Sequence, residues 1–342
     1  MDFNPTDDRR MLGDTLDRFL TGRYDHTTRM KIAGSDAGWS REMWAEMAEL
    51  GLIGALFTQD QGGFGGEGAD IALIFERLGR ALVVEPFHGT LAAAALTQDQ
   101  RDEVIAGALI PIFAHSEAGT AFDPDRLSAK VENGVLTGSK VAVANAEAAD
   151  IFVVSAMEGD TPALFAVQAT DAHLTPYPLM DGGRGADVRF DGASATRLDM
   201  ALTDLLDTIL LALSAEALGL MERCKDTTVE YLKTRKQFGV PLSKFQALQH
   251  RAVDMVTEIE QTRSAVINAG HHLGTDKGAK YAAAAKYTAA TTGRLVAEET
   301  IQLHGGIAMT WEYDVAHAAK RLVMTAQIMG DEDVHLMRFA AL

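Results

Sequence analysis

Apolar residues recur at helical spacing through the first third of the chain, in short β-prone runs through the middle, and at helical spacing again from about Leu202 onward. In the first third, Ser40 stands ahead of Trp44, Met47 and Leu50, which share one helical face, and Gly51 supplies a stop signal. Asp70 to Ala81 repeats the pattern with Ile71, Ile74, Phe75 and Leu78 as its stripe. Between them, the Gly-rich run Gln61 to Gly68 lacks a preceding strand and the Lys and Ser/Thr of a phosphate loop, so a tight connection is expected there.

The middle third is read as a β domain. Asn133-Gly134 lies between β-prone runs in Ala129 to Val143, a hairpin signal, and Ile151 to Ala156, Ala163 to Ala169 and Asp187 to Phe190 continue the short-strand pattern. Beyond it, Leu202, Leu205, Leu206, Ile209, Leu213, Leu220 and Cys224 follow helical spacing while Leu210, Leu211, Leu218 and Met221 cover another side. A helix that is apolar on several sides belongs at the centre of a bundle. Ser243 is a cap candidate for a second helix carrying Phe245, Leu248, Ala252, Met255, Ile259 and Val266; a third spans Ala279 to Leu303, and a fourth runs from Val315 to Met329 and stops at Gly330. The expected fold is α+β, mainly α: an N-terminal helical domain over 1–110, a middle β domain over 111–200, and a C-terminal four-helix bundle over 201–342.

Composition narrows the function. A length of 342 residues suggests two or three domains, and 47% hydrophobic with 23% charged residues is ordinary globular material. A formal net charge of −17 argues against nucleic-acid binding, which needs a cationic surface. The single cysteine, Cys224, excludes an intrachain disulfide and a cysteine-based metal site, and is expected to pack as a small hydrophobe. The start MDFNPTDDRRM is neither a secretory signal nor a basic transit peptide, and the longest apolar run, Leu205 to Met221, is interrupted by Asp207, Ser214 and Glu216, so no membrane span is expected and the cytoplasm is the default.

Two short runs carry candidate chemistry. YLKTRKQFG places Arg235, Lys236, Gln237 and Phe238 where a helix is expected to break at Gly239. The run reads either as a basic helix end or as a dock for an anionic cofactor, Arg offering a planar fork of donors and Phe a stacking ring. QLHGG places Gln302, His304, Gly305 and Gly306 at the end of the third bundle helix, and reads either as a glycine terminator with a surface histidine or as close backbone approach to a ligand. No metal site is expected: the ten histidines include no HExxH, and His271 and His272 should point to different helix faces. There is no GxSxG elbow, Ser139 falls in a hairpin, and Asp331, Glu332 and Asp333 read as cap and first-turn charges of a final short helix ending in Phe339.

In order of parts and in several stretches, the chain resembles the acyl-CoA dehydrogenase family over nearly its full length. The matching stretches are ELGLIGALFTQDQGGFGG and ALIFERLGRA, then LTGSKVAVANAEAADIFVVSA, then YLKTRKQFG, FQALQH and IQLHGGIAMTWEYDVAHAAKR. The resemblance implies bound FAD and α,β-desaturation of an acyl-CoA thioester, in which a carboxylate removes the α proton, the β hydride passes to the flavin, and an electron-transferring flavoprotein reoxidises it. It further implies that Arg235 contacts the pyrophosphate of FAD, Gln237 and Phe238 the adenosine side, and Gln302, His304, Gly305 and Gly306 the remaining dinucleotide surface, across a subunit interface.

Departures from the family pattern are as informative. The carboxylate expected after the fourth bundle helix falls on Gly330, or on Met329 in a shifted register, and the other family location falls near Ile209. A flavin-bordering Trp and Thr are replaced in Lys140, Val141, Ala142, Val143, Ala144, and an upstream motif survives in part as Ser116, Glu117, Ala118, Gly119. The catalytic residue is therefore unassigned, and a half-site subunit is expected, giving the ADP surface of an FAD whose ring pocket and base come from a homologous partner in an α2β2 assembly like that of steroid-CoA dehydrogenases. Two alternatives stay open: a self-sufficient homotetramer using Asp331, Glu332 or another carboxylate, and a noncatalytic scaffold.

Overall fold

The computed structural model describes residues 6–120, 122–124 and 126–342; the first five residues of the polar N-terminus lie outside them. The helices are α1 (Asp7–Arg23), α2 (His26–Ala33), α3 (Arg41–Glu49), α4 (Gly68–Ala81), α5 (Phe87–Thr90), α6 (Gln98–Ile105), α7 (Leu202–Thr234), α8 (Gln246–His272), α9 (Gly278–His304), α10 (Asp314–Gln327) and α11 (Glu332–Ala341). The strands are β1 (Pro111–Ala114), β2 (Lys130–Glu132), β3 (Val135–Ala144), β4 (Ile151–Glu158), β5 (Thr161–Gln168), β6 (Ala172–Pro178), β7 (Arg184–Ser194), β8 (Thr196–Arg197), β9 (Lys236–Gln237) and β10 (Val240–Pro241). The α+β, mainly α architecture is as expected. The chain forms two compact units, one from Met30–Ile71 with Val84–Ile209, the other from the residues up to Arg29 with Ala72–Val83 and Leu210–Leu342.

In the first of these units, Ser40 caps α3 by accepting from Met43 N at 3.2 Å, and Trp44 and Met47 are fully buried. Leu50, expected beside them, is 38% exposed because it is the C-cap residue, where the chain leaves the helical face. The Gly-rich run is a tight connection: a Cβ on Gly63 would lie 2.2 Å from the Phe57 carbonyl, and one on Gly65 2.3 Å from that of Ala55. The eight-stranded sheet runs β6-β7-β3-β2-β4-β5-β8, with β1 parallel to β4. Asn133 and Gly134, at φ of 53° and 75°, make the mirror-type turn between β2 and β3. The strands β1, β6 and β8 were not expected; β1 is buried throughout and shows no alternation.

In the second unit the apolar run of α7 is buried without interruption from Leu210 to Glu222, as a central helix requires. The polar residues within it are satisfied: Ser214 donates to the Leu210 carbonyl at 2.7 Å, and Glu216 accepts a two-pronged bond from Arg321 of α10 at 2.6 and 3.0 Å. Cys224 is buried, and burial pushes its thiol up to about 12. Small residues of α9, including Ala282, Ala285, Ala289 and Gly293, let α8, α10 and α11 pack closely on it. Ser243 does not cap α8; it lies in a 3-10 turn over Leu242–Lys244, and Phe245 holds the cap position without a side-chain bond. Among the described residues no helix is long and apolar enough to cross a membrane.

Candidate functional site

The run Arg235 to Gly239 is a hairpin and not the tail of a helix. α7 stops at Thr234, whose hydroxyl donates to the Glu230 carbonyl at 2.9 Å and so competes for the last-turn acceptors. Lys236–Gln237 then pairs antiparallel with Val240–Pro241, and Phe238 and Gly239 form the two-residue turn at φ of 54° and 81°. A phenylalanine in the left-handed region costs roughly 1–2 kcal/mol, yet here it holds the ring 90% exposed. Arg235, Lys236 and Gln237 are exposed as well. Strain combined with exposure marks a residue held for contact.

The second run sits at the end of α9. Gly305 takes φ 69° and ψ −149°, a conformation suited to glycine, and a Cβ on Gly305 or Gly306 would meet nothing within 4 Å, so this backbone is open to a ligand. Gln302 is exposed. His304 is not: only 4% exposed, its Nδ1 lies 2.8 Å from the Thr300 carbonyl and its ring packs against Tyr231 and Tyr313, with centroids 4.5 and 5.4 Å away. Burial lowers its pKa, against the opposing pull of the Thr300 and Thr227 carbonyls. The expectation of a surface His304 is corrected, because the ring is used to pack helix ends together. That packing joins the last turn of α7 to the end of α9, and so brings the two runs to one end of the bundle. Tyr231 and Tyr313 were missed as positioning residues; the aromatic four residues before Arg235 was the available signal.

At the expected base positions there is no carboxylate. Ile209 is buried in α7, and Gly330, at φ 103°, follows Met329 at φ 59° in a closed turn where a Cβ would lie 3.0 Å from His335 Nε2 and Val334. Beneath the turn, Lys286 is 1% exposed and its Nζ donates to the carbonyls of Thr325, Ala326 and Gly330 at 2.9, 3.1 and 3.0 Å. Burial lowers its pKa to about 7, with Asp331 and Glu332 opposing. His335 Nε2 donates to the Met329 carbonyl at 2.9 Å. Of the nearby acids, Asp331 caps α11 through Val334 N at 3.1 Å and Glu332 pairs with Arg294 at 2.7 Å. Lys286, in the Ala-rich first half of α9, had no local signal for this role.

Glu117 and Lys140 form a buried ion pair. Lys140, 0% exposed, donates to Glu117 Oε1 at 2.6 Å, to the His115 carbonyl at 3.1 Å and to Ser155 Oγ at 3.2 Å. Glu117 also accepts from Ser128 N at 2.6 Å and Ala129 N at 3.1 Å. Burial favours the neutral acid, but the bonds from Lys140 and Ser128 outweigh it and hold Glu117 below the usual carboxylate range. Burial draws Lys140 down to about 8 while the bond and charge of Glu117 oppose it. Just beyond, β3 bulges with Ala142 at φ 53°; its N–H donates to Asp187 Oδ1 at 3.2 Å, and Ala142 is exposed. Tyr177 donates its hydroxyl to the same Asp187 Oδ1 at 2.9 Å, so the ring beside the bulge is a tyrosine from β6 and not a residue of β3. Elsewhere, His271 and His272, expected on different faces, are in edge-on ring contact at 4.9 Å at the end of α8, and the His272 ring stacks on Tyr281.

Two buried histidines set an acid limit. His115 is lowered to about 3 by burial and then by Lys140, and His335 to about 4 by burial and then by Lys286. Below the ordinary histidine value of about 6.5 the unfolded chain binds protons that the folded chain refuses, so stability falls as pH falls. Chemical denaturation should lose about 1.4 kcal/mol per pH unit for each histidine between about pH 6 and 4, after which only His115 continues. His335→Asn should reduce that slope; an unchanged slope would refute the assignment.

Comparison with known proteins points the same way. Residues 6–135 match the model described as the acyl-CoA dehydrogenase N-terminal domain, and residues 203–341 the acyl-CoA dehydrogenase C-terminal domain. The chain is 31% identical to acyl-CoA dehydrogenase IpdE2 of Mycolicibacterium smegmatis over 98% of this chain and 99% of the relative. It is 33% identical to acyl-CoA dehydrogenase IpdE2 of Mycobacterium tuberculosis over 95% and 94%. Among solved structures, a variant of the Tcur3481-Tcur3483 steroid ACAD superposes with a TM-score of 0.91 at 28% identity, covering 98% of this chain and 97% of that one. The ChsE4-ChsE5 complex from Mycobacterium tuberculosis, at 24% identity over 100% and 98%, shares the fold with a TM-score of 0.92.

Proposed function

The chain belongs to the acyl-CoA dehydrogenase family of oxidoreductases, and from that premise we propose that it is a half-site subunit of an FAD-dependent enzyme desaturating an acyl-CoA thioester. The observation that carries this reading is the contrast between an exposed cofactor-tail surface and a base position, Gly330, that is buried in a turn clamped by Lys286 and His335. FAD, when bound, supplies the hydride acceptor. In this reading, Arg235 grips the pyrophosphate with a charge-assisted fork, Gln237 and Phe238 contact the adenosine side, and Gln302 with the open backbone of Gly305 and Gly306 completes the surface. His304 positions that surface from beneath.

A homologous partner chain supplies the flavin-ring pocket and the catalytic carboxylate, in an α2β2 assembly. Likeness to the Tcur3481-Tcur3483 steroid ACAD, named as a pair, supports such a partner and favours a bulky, steroid-type acyl-CoA substrate. An electron-transferring flavoprotein would reoxidise the flavin. A cytoplasmic location fits a lone cysteine kept as a buried thiol, and the three-part division at residues 110 and 200 remains part of this reading. The self-sufficient alternative loses ground because Asp331 and Glu332 already cap a helix and pair with Arg294.

The test is co-purification with the homologous partner and a count of flavin. About one FAD per two chains is expected, since each site needs both halves. Arg235→Ala should weaken FAD retention by about 10- to 100-fold, the worth of one charged hydrogen bond. If the chain alone held a full complement of FAD and desaturated an acyl-CoA, the half-site would be wrong. Unchanged flavin content in Arg235→Ala would leave a scaffold.

A further inference from the structure

The segment following the two glycines carries a feature that the cofactor contacts above do not use. From Gly305 to Tyr313 the chain leaves α9 and returns to the start of α10, and the loop is closed by the ring contact of Tyr313 with His304. On it, Ile307, Met309 and Trp311 are 43%, 74% and 53% exposed, an apolar group on the same stretch as the open glycines. Exposed tryptophans are ordinarily free to rotate; this one is not. His317, itself fully buried, donates from Nε2 to the Trp311 carbonyl at 2.8 Å and meets the indole edge-on with centroids 4.9 Å apart. Burial is the first cause that lowers the His317 pKa, which keeps the ring neutral and its Nε2–H a donor. Lys320 Nζ lies over the indole, 4.3 Å from the ring centroid.

Carbonyl, edge and one face of Trp311 are thus fixed by its own chain, while half of the residue stays open. That is a platform prepared for a flat aromatic partner, since little rotamer entropy remains to be lost on contact. Five residues earlier in the sequence, Gly305 and Gly306 offer unobstructed backbone suited to phosphate. A planar ring joined to phosphates fits such a surface; in the half-site reading the flavin ring lies in the partner chain, so the ring of FAD left for this one is the adenine, and the Lys320 ammonium over the indole adds positive potential.

We infer that Trp311 is the stacking platform for the adenine end of the dinucleotide whose phosphates face Arg235, Gly305 and Gly306. The inference rests on the half-site reading and adds the residue that holds the base. Sequence position alone did not single it out; the bracing by His317 and Lys320 did.

The test uses the co-purified holo-complex. The FAD dissociation constant is read from flavin released on serial dilution, and ADP is added as competitor. Trp311→Ala should weaken FAD about 5- to 100-fold and ADP by a similar factor, as removal of one base-stacking ring does, and Trp311→Phe should restore most of both. Thermal melts of the two variants check for a folding defect, and both should melt near wild type, since the Trp311 carbonyl that accepts from His317 is backbone and remains in each. If Trp311→Ala leaves both affinities unchanged while Arg235→Ala weakens them, the platform is wrong and the half-site stands. If neither variant changes FAD retention, the platform and the half-site reading fall together.

Discussion

Replacing Gly219 by alanine is expected to destabilise the chain by about 3 kcal/mol or more, the upper end for overpacking. A Cβ there would lie 1.9 Å from the Glu76 carbonyl oxygen and 2.8 Å from Arg80 N, so the added methyl meets backbone, which cannot rotate aside. The contact is reciprocal, since a Cβ on Gly79 would lie 2.2 Å from the Glu216 carbonyl. Moving α4 away from α7 would also strain the ion pairs around the crossing: Arg263 to Glu76 at 3.1 Å and to Glu222 at 2.7 Å, and Arg80 to Asp226 at 2.6 Å. Gly22→Ala is the matched control. Nothing lies within 4 Å of its Cβ, so alanine should be neutral or stabilise α1 by up to about 1 kcal/mol. Denaturant melts that placed Gly219→Ala within about 0.5 kcal/mol of wild type would show that the crossing is looser than described.

Glu117→Gln is expected to cost about 3–5 kcal/mol, because it leaves the Lys140 ammonium at 0% exposure without a counter-charge. The double variant Glu117→Gln with Lys140→Met should recover much of that loss, since removing both charges removes the desolvation penalty along with the attraction. The cycle of single and double variants measures the coupling directly, and additive losses would mean that the two side chains do not act as a pair. Because the pair anchors β3 immediately before its bulge at Val141 and Ala142, the singles should also raise amide exchange there.

Much of the fold was legible because it follows from local rules. Ser40 as a cap, Asn133-Gly134 as a turn and the all-round apolar character of α7 each depend on residues within a few positions of one another, whereas the fourth bundle helix, expected to reach Met329 and stop at Gly330, ends at Gln327. The misreadings share the opposite property. Leu50 fits the helical stripe but falls on the cap, Ser243 has the right chemistry two residues too early, and Arg235 to Gly239 continues a helical count that Thr234 and the β9–β10 pairing interrupt. His304 looks like a terminator's exposed neighbour and is buried by Tyr231, more than seventy positions away in the chain.

By itself the sequence determined the chemical inventory: an arginine-lysine-aromatic run, a glycine pair, and apolar residues or glycine where a base would stand. A carboxylate absent from a position is absent in any fold, so that part of the reading needed no coordinates. Tertiary structure alone decided presentation. It exposed Arg235 and Phe238 on a hairpin, joined two distant runs through the Tyr231–His304–Tyr313 cluster, locked Gly330 with Lys286, and braced Trp311. Burial and pairing are set by contacts between residues remote in sequence, and periodicity, which reports only on the backbone of one element, carries no record of them.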